Sequence, residues 1–256
     1  MTRSIPIALQ ASLDTRATTL TQLLRIAPAN GAAFGLCLTN TDITYNDGGG
    51  SITYKSLYGF DDGAYQSSAG REVDNAEAKV LFAPSSGLGL TEAQVRAGYL
   101  DGARFRILLV DHSNLAGGHA ILEWGLVGQI RSADGLSAMV ELRGAQQMGR
   151  QKSVCERGSK TCRATFGDAT TGCGFDLTGV GGSSTVAAPG SEADRVFTTL
   201  ATIPVPGLVT FTSGANAGLS FEVEAYDAGE VSLMFPTPYP IASSDAFDWR
   251  EDCDKT

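Results

Sequence analysis

Short runs of apolar and β-branched residues, broken by glycine-, asparagine- and proline-marked turns, cover most of this chain. The exception comes first. Ile5, Leu9 and Leu13 fall at helical spacing, and the pattern predicts a helix from Ser4 to Leu13 with Pro6 near its start. From there the period shortens. "TTLTQLLRIAP" (18–28), "AAFGLCLTN" (32–40) and "SITYKSLYGF" (51–60) read as strands, the last two around the turn "YNDGGG" (45–50). Cys37, in the middle of an apolar strand, reads as a plain core thiol.

Thr91, with Gln94 three residues on, forms a capping box and predicts a short helix in "TEAQVRAGYL". Three consecutive strands follow: "ARFRILLVDH" (103–112), "HAILEWGLVGQIRS" (119–132) and "GLSAMVELRGA" (135–145). The last two flank Asp134-Gly135, the clearest hairpin signal in the chain. Residues 1–148 therefore read as a β-rich domain with two short helices. Residues 149–256 read as a second, smaller β-rich domain that holds most of the cysteines.

In that second part a cysteine-bearing loop comes first. "GVGGSSTVAAPGSEAD" (179–194) reads as a flexible link or long loop. Strands then resume at "RVFTTLATI", "GLVTFTSG", "LSFEVEAYD" and "EVSLMFP". Gly214, Asn216 and Gly218 mark a turn that calls for positive φ. The acidic end, with Asp248, Glu251, Asp252 and Asp254, reads as a solvated tail. The fold class is mainly β, a barrel- or sandwich-like domain plus a smaller β-rich cysteine-containing domain, with short helices.

Composition adds limits. The chain has 256 residues and 43% hydrophobic residues, enough for packed cores, and its 31 glycines suit a turn-rich β protein. A net charge of −9 argues against duplex nucleic acid as a main partner, but not against a surface past which DNA slides. The N-terminus lacks the pattern of a signal peptide, and no apolar run approaches the ~18 residues of a membrane span. The expectation is synthesis in a cytoplasm, where thiols stay reduced. Clustered cysteines then read as metal ligands or redox groups before disulfides.

Four of the five cysteines are candidates: Cys155, Cys162, Cys173 and Cys253. Their spacing is not that of a zinc knuckle, but four thiolates suit either tetrahedral zinc or an iron–sulfur cluster. Between Arg150 and Arg163 five Lys/Arg face one Glu156, a surround that favours thiolates and steadies an anionic centre without choosing between the metals. A solvated loop with chance cysteines is the bland alternative. A thiol hydrolase finds little support, because His112 and His119 stand together away from any nucleophile context. No P-loop, G-x-S-x-G, H-E-x-x-H or dinucleotide fingerprint is present, so no enzyme is expected.

Three blocks point to a family: "CRATFGDATTGCGFDLTG" (162–179), "GLVTFTSGANAGLSFEVEAY" (207–226) and "PTPYPIASSDAF…CDK" (236–255). With "SIPIALQASLDTRATTLTQLLRI" and "YLDGARFRILLVD", they resemble the baseplate (tail-tip) hub proteins of phages and gene transfer agents with long flexible tails. The resemblance implies a structural virion protein at the tail tip, assembled in the host bacterial cytoplasm. It implies a ring of hub copies, expected to be a trimer, between the distal tail protein and the central tail-tip or fibre protein, with DNA passing through its channel. It also implies a cysteine-bound 4Fe-4S cluster, with zinc as the alternative metal. By position, Cys162, Cys173 and Cys253 match family cysteines. The family pattern continues to a further cysteine where this chain stops at Thr256, and Cys155 is an additional thiol, taken here as the fourth ligand. The segment "EVEAYDAGEVSLMF" (222–235) and the first ~30 residues are the expected partner-binding faces.

Overall fold

The computed structural model describes residues 5–15, 19–56, 75–81, 90–132, 137–144, 162, 164, 166–167, 170 and 172–253, with 75–81, 132 and 137–138 by backbone alone. The fold is mainly β with short helices, and the chain divides into two compact units, Met1–Val154 and Cys155–Thr256.

The first unit opens with α1 (Ile7–Leu13). The helix begins later than the apolar spacing predicts. Pro6 is its N-cap, extended at φ −58° and ψ 142°, and a proline ring disfavours helical backbone in the residue before it. Only Leu9 of α1 is buried. A carboxylate supplements that contact: Asp111, at the end of β6 (Arg104–Asp111), accepts hydrogen bonds from the hydroxyls of Ser12, Thr19 and Ser113 and from the Ser113 N–H. These donors hold its carboxyl well below the usual range, the Ser12 hydroxyl contributing most.

The sheet comprises β1 (Leu20–Ala27), β2 (Phe34–Cys37), β3 (Ile43–Asn46), β4 (Ser51–Lys55), β5 (Asn75–Leu81), β6, β7 (His119–Ser132) and β8 (Ser137–Gly144). Their order is β3-β4-β2-β1-β6-β7-β8-β5, antiparallel apart from the β2–β4 pair. β1 is matched along its whole length by β6, from Leu20↔Asp111 to Ala27↔Arg104. Both its faces are covered. Leu24 and Ile26 join Leu36, Phe105 and Ile107 in one cluster, while Leu23 joins Cys37, Tyr54, Leu108 and Val110 in another. Residues 23–26 are accordingly all buried, with no in–out alternation. α2 (Glu92–Arg96) begins at the capping box: Thr91 Oγ1 accepts the Gln94 N–H, and Gln94 Oε1 accepts the Thr91 N–H.

Two strands of this unit lie outside the sequence reading. β3 sits just before the glycine turn and pairs with β4, and β5 ("NAEAKVL") pairs with β8 at the sheet edge. The Asp134-Gly135 turn falls outside the described residues, but the strands it joins are paired up to Ser132↔Ala138.

Cys37 is a core thiol. It is fully buried, and Thr39 Oγ1 donates to its sulfur at 3.2 Å while the thiol faces the Tyr54 carbonyl at 3.4 Å. Cys37→Ala is expected to lower unfolding free energy by about 1–2 kcal/mol in denaturant titration. Metal content should be unchanged, and loss of bound iron or zinc in that variant would place Cys37 at a metal centre.

The second unit is a closed six-stranded barrel: β9 (Gly181–Pro189), β10 (Val196–Thr199), β11 (Gly207–Phe211), β12 (Ser220–Asp227), β13 (Glu230–Leu233) and β14 (Ala246–Glu251), in the order β10-β13-β12-β11-β14-β9. Its core gathers Phe197, Phe211 and Phe247 with Val186, Val209, Val223, Val231, Leu233 and Ile241.

Three expectations are corrected here. Residues 181–189 are no linker but β9, which closes the barrel. Only Val186 of β9 is buried, so the strand carries almost no apolar signal. Its small residues allow close approach, since a Cβ at Gly181 would lie 2.5 Å from the Trp249 carbonyl oxygen. Likewise, the acidic tail is a barrel strand as far as Glu251: β14 pairs with β11 on one side and β9 on the other, and Ser183 Oγ donates to Asp248 at 2.6 Å. In the third case Gly214 and Gly218 do have positive φ, 78° and 84°, but Asn216 does not. It is fully buried, donating to the Tyr239 carbonyl at 2.9 Å and accepting the Tyr239 N–H at 3.2 Å.

Candidate metal centre

Cys155 and most of the basic stretch 150–163 lie outside the described residues. The remaining three candidate ligands are placed within the second unit. Cys162 and Cys173 are exposed, and Cys253 is half-buried.

The loop around Cys173 has an internal scaffold. Phe166 and Phe175 stack at 4.9 Å with 24° between ring planes, and the Arg250 guanidinium lies 5.8 Å from the centre of the Phe166 ring. Arg250 belongs to β14, where its backbone is held between Leu208 and Gly181. The loop is thereby set against the strand that leads to Cys253. Gly167 turns the chain at φ 77°, and a Cβ there would lie 2.3 Å from the Leu177 side chain. Its N–H donates to Cys173 Sγ at 3.4 Å. That amide first, and the Phe175 amide second, pull the Cys173 thiol below its ordinary value, because N–H dipoles aimed at sulfur favour the thiolate.

The chain end is tied to the same region. The Glu251 N–H donates to the Val180 carbonyl at 2.8 Å and the Asp252 N–H to the Pro206 carbonyl at 3.1 Å. Cys253 follows, its N–H donating to Asp252 Oδ1 at 2.8 Å. The donor chemistry fits a thiophilic metal: an exposed, thiolate-leaning Cys173, an exposed Cys162, and a chain end anchored at the start of β9. Among the described residues, however, no three His, Cys, Asp or Glu side chains converge as a ligand set.

Sequence reading named the thiols but missed the scaffold around Cys173: Phe166, Gly167, Phe175 and Arg250. Two phenylalanines in an otherwise small and polar loop were the available signal. Of the histidines, His119 is engaged by Tyr45, with Nδ1 2.8 Å from its hydroxyl, and Cys37, the cysteine of that unit, is fully buried.

Comparison with known proteins places these features. Residues 6–176 match the family model described as baseplate hub protein, N-terminal attachment domain. Residues 205–256 match a family of conserved hypothetical phage proteins, BR0599. The first match contains Cys155, Cys162 and Cys173, and the second contains Cys253. Between them the models leave 177–204, where β9 and β10 lie. A chain from the virion of a native gene transfer agent particle is similar over 98% of this chain and 85% of its own, with a TM-score of 0.70 and 25% identity. No curated protein matches.

Proposed function

This chain belongs to the baseplate hub protein family, and from that membership we propose that it is a structural protein of a virion tail, acting as the baseplate hub. The observation that carries this is the family match across 6–176, reinforced by a likeness to a gene transfer agent virion chain that spans nearly the whole length. In this reading the hub forms a ring, a trimer, at the tail tip. It joins the distal tail protein on one side to the central tail-tip protein on the other. Assembly takes place in the host cytoplasm before the particle leaves. A protein with this role acts through the surfaces it presents, not through turnover. Its net charge of −9 suits a channel through which DNA passes without being held. Among the described residues no helix is long and apolar enough to cross a membrane.

Within that role Cys155, Cys162, Cys173 and Cys253 bind a 4Fe-4S cluster, which staples the loop to the barrel. The backbone amides aimed at Cys173, the Phe166–Phe175–Arg250 stack and the anchored chain end support this. Zinc in the same four thiolates is the second reading, favoured by the same donor set. Iron, sulfide and zinc analysis of anaerobically purified protein decides between them. Cys173→Ser is expected to abolish visible absorption and metal retention and to loosen the second unit, because metal binding is coupled to folding. Stoichiometric zinc without iron would retire the cluster and keep the four-cysteine site. Cryo-electron microscopy of the intact particle tests the hub: density for this chain on the capsid, or its absence from the tail tip, would overturn that role.

A further inference from the structure

Where the Arg104–Arg106 end of β6 meets β7 and β8, the first unit leaves part of one sheet face exposed, and this part is rich in arginine in an acidic protein. The ladders place Arg104, Leu126 and Arg143 in one row, Arg106 beside Trp124, and Arg131 beside Met139. Their neighbours Phe105, Val127, Val140 and Leu142 are buried in the core on the opposite side. Trp124 is 55% exposed, with Arg104 and Arg106 exposed on the neighbouring β6 and Arg131 exposed at the far end of β7. Among the described residues of β6–β8 the ladders set one carboxylate on this face, Glu141, paired with Arg143 at 2.8 Å; on the edge strand β5 the register puts Glu77 opposite Glu141 and Lys79 opposite Met139, one charge of each sign. Where β7 and β8 lose register between Val127 and Ile130, the face dips into a cleft of about 200 Å³ that Arg131, Met139, Glu141 and Arg143 line.

The second unit carries the converse surface. On β12 and β13, Glu222, Glu224, Asp227 and Glu230 are exposed. The cation among them, Arg195, is already bonded to Glu224 and to the Leu233 carbonyl. Directly after β13, Phe235 is 67% and Met234 44% exposed, large apolar side chains at the margin of this acidic patch.

We propose that copies of this chain associate head to tail, the β6–β8 face of one copy receiving the β12–β13 face of the next. This rests on the ring reading above and names the surfaces that make the ring. Two observations favour it. Exposed Trp, Arg, Met and Phe are the residue types that concentrate at the centres of protein interfaces. And the two faces are opposite in charge and different in identity, so their contact is heterologous, the type that closes into a ring when the rotation allows. A nucleic-acid partner fits less well, because Arg143 already has its carboxylate and the centre of the face is apolar.

The test uses the full chain in analytical ultracentrifugation at low and high salt. Arg104→Glu with Arg106→Glu, and separately Glu222→Arg with Glu230→Arg, should each weaken self-association at least about tenfold. Trp124→Ala should weaken it at both salt concentrations. Combining both reversals in one chain should restore association. All these positions are exposed, and matching thermal unfolding of each variant shows that folding is intact. The proposal is overturned if the wild type does not self-associate at its highest soluble concentration, if the reversals change nothing, or if the combined swap is as weak as its parents. Loss of binding to a short DNA duplex in the arginine variants, with self-association kept, would make the face a nucleic-acid surface and also overturn it. Failure in any of these ways with the chain still at the tail tip in intact particles removes only this interface. Absence from the tail tip removes the hub reading itself.

Discussion

Arg25→Met is expected to lower the unfolding free energy of the first unit by about 3–5 kcal/mol. Arg25 sits in the central strand β1 with 8% of its surface exposed, and it meets the 4%-exposed Asp47 at 2.7 Å. Its guanidinium also donates to the carbonyls of Gly49 and Gly50, and so holds the whole β3–β4 turn against the sheet. Without it, Asp47 keeps only the Gly49 N–H at 2.9 Å and a long contact from the Tyr54 hydroxyl at 3.4 Å. A carboxylate buried with no cation is the costly state. The Tyr54 hydroxyl reports the same setting: burial first, and the Asp47 charge second, push it above its ordinary value. The double variant Arg25→Met/Asp47→Leu removes both charges and should recover much of the loss, so the two sites are strongly coupled. Urea titration of the single and double variants checks this. A cost near zero for Arg25→Met would mean that water, not Asp47, satisfies the guanidinium.

Phe211→Ala is expected to cost the barrel about 3–5 kcal/mol. Phe211 is fully buried on β11, with ring centres 6.1 Å from Phe197, 6.2 Å from Phe247 and 6.1 Å from Phe221. These rings come from four different strands, and a closed barrel cannot collapse locally to fill the space that one of them leaves. Leu208→Ala on the same strand removes a half-buried side chain and should cost under about 1 kcal/mol. Equal losses at the two positions would show that the aromatic cluster is not the centre of the core.

Much of the first unit was legible because its strands carry their burial in their composition. "HAILEWGLVGQIRS" spans β7 residue for residue, and Thr91 with Gln94 announced α2. Two of the strands that escaped, β9 and β14, have little to bury. β9 hides one valine behind glycine, serine and alanine, and β14 shows charges on its outward side while Phe247 alone is buried. The candidate site divides the same way. A thiol can be read as a ligand by its chemistry, but the stack of Phe166, Phe175 and Arg250 joins residues up to 84 positions apart, and no local pattern encodes it.

By itself, then, the sequence determined the β class, the core identity of Cys37, the capped helix and the family. Each of these rests on short-range periodicity, on side-chain chemistry or on motifs a few residues long. Only the tertiary structure decided that 181–189 closes a barrel, that the acidic tail is one of its strands, and that Asn216 braces Tyr239 from inside. It also decided that Arg25 is a buried partner of Asp47, while Arg104 and Arg106 face outward. The physical reason is common to all of these. Burial and pairing depend on which distant strand comes alongside, and a residue's own neighbours in the chain carry no record of that.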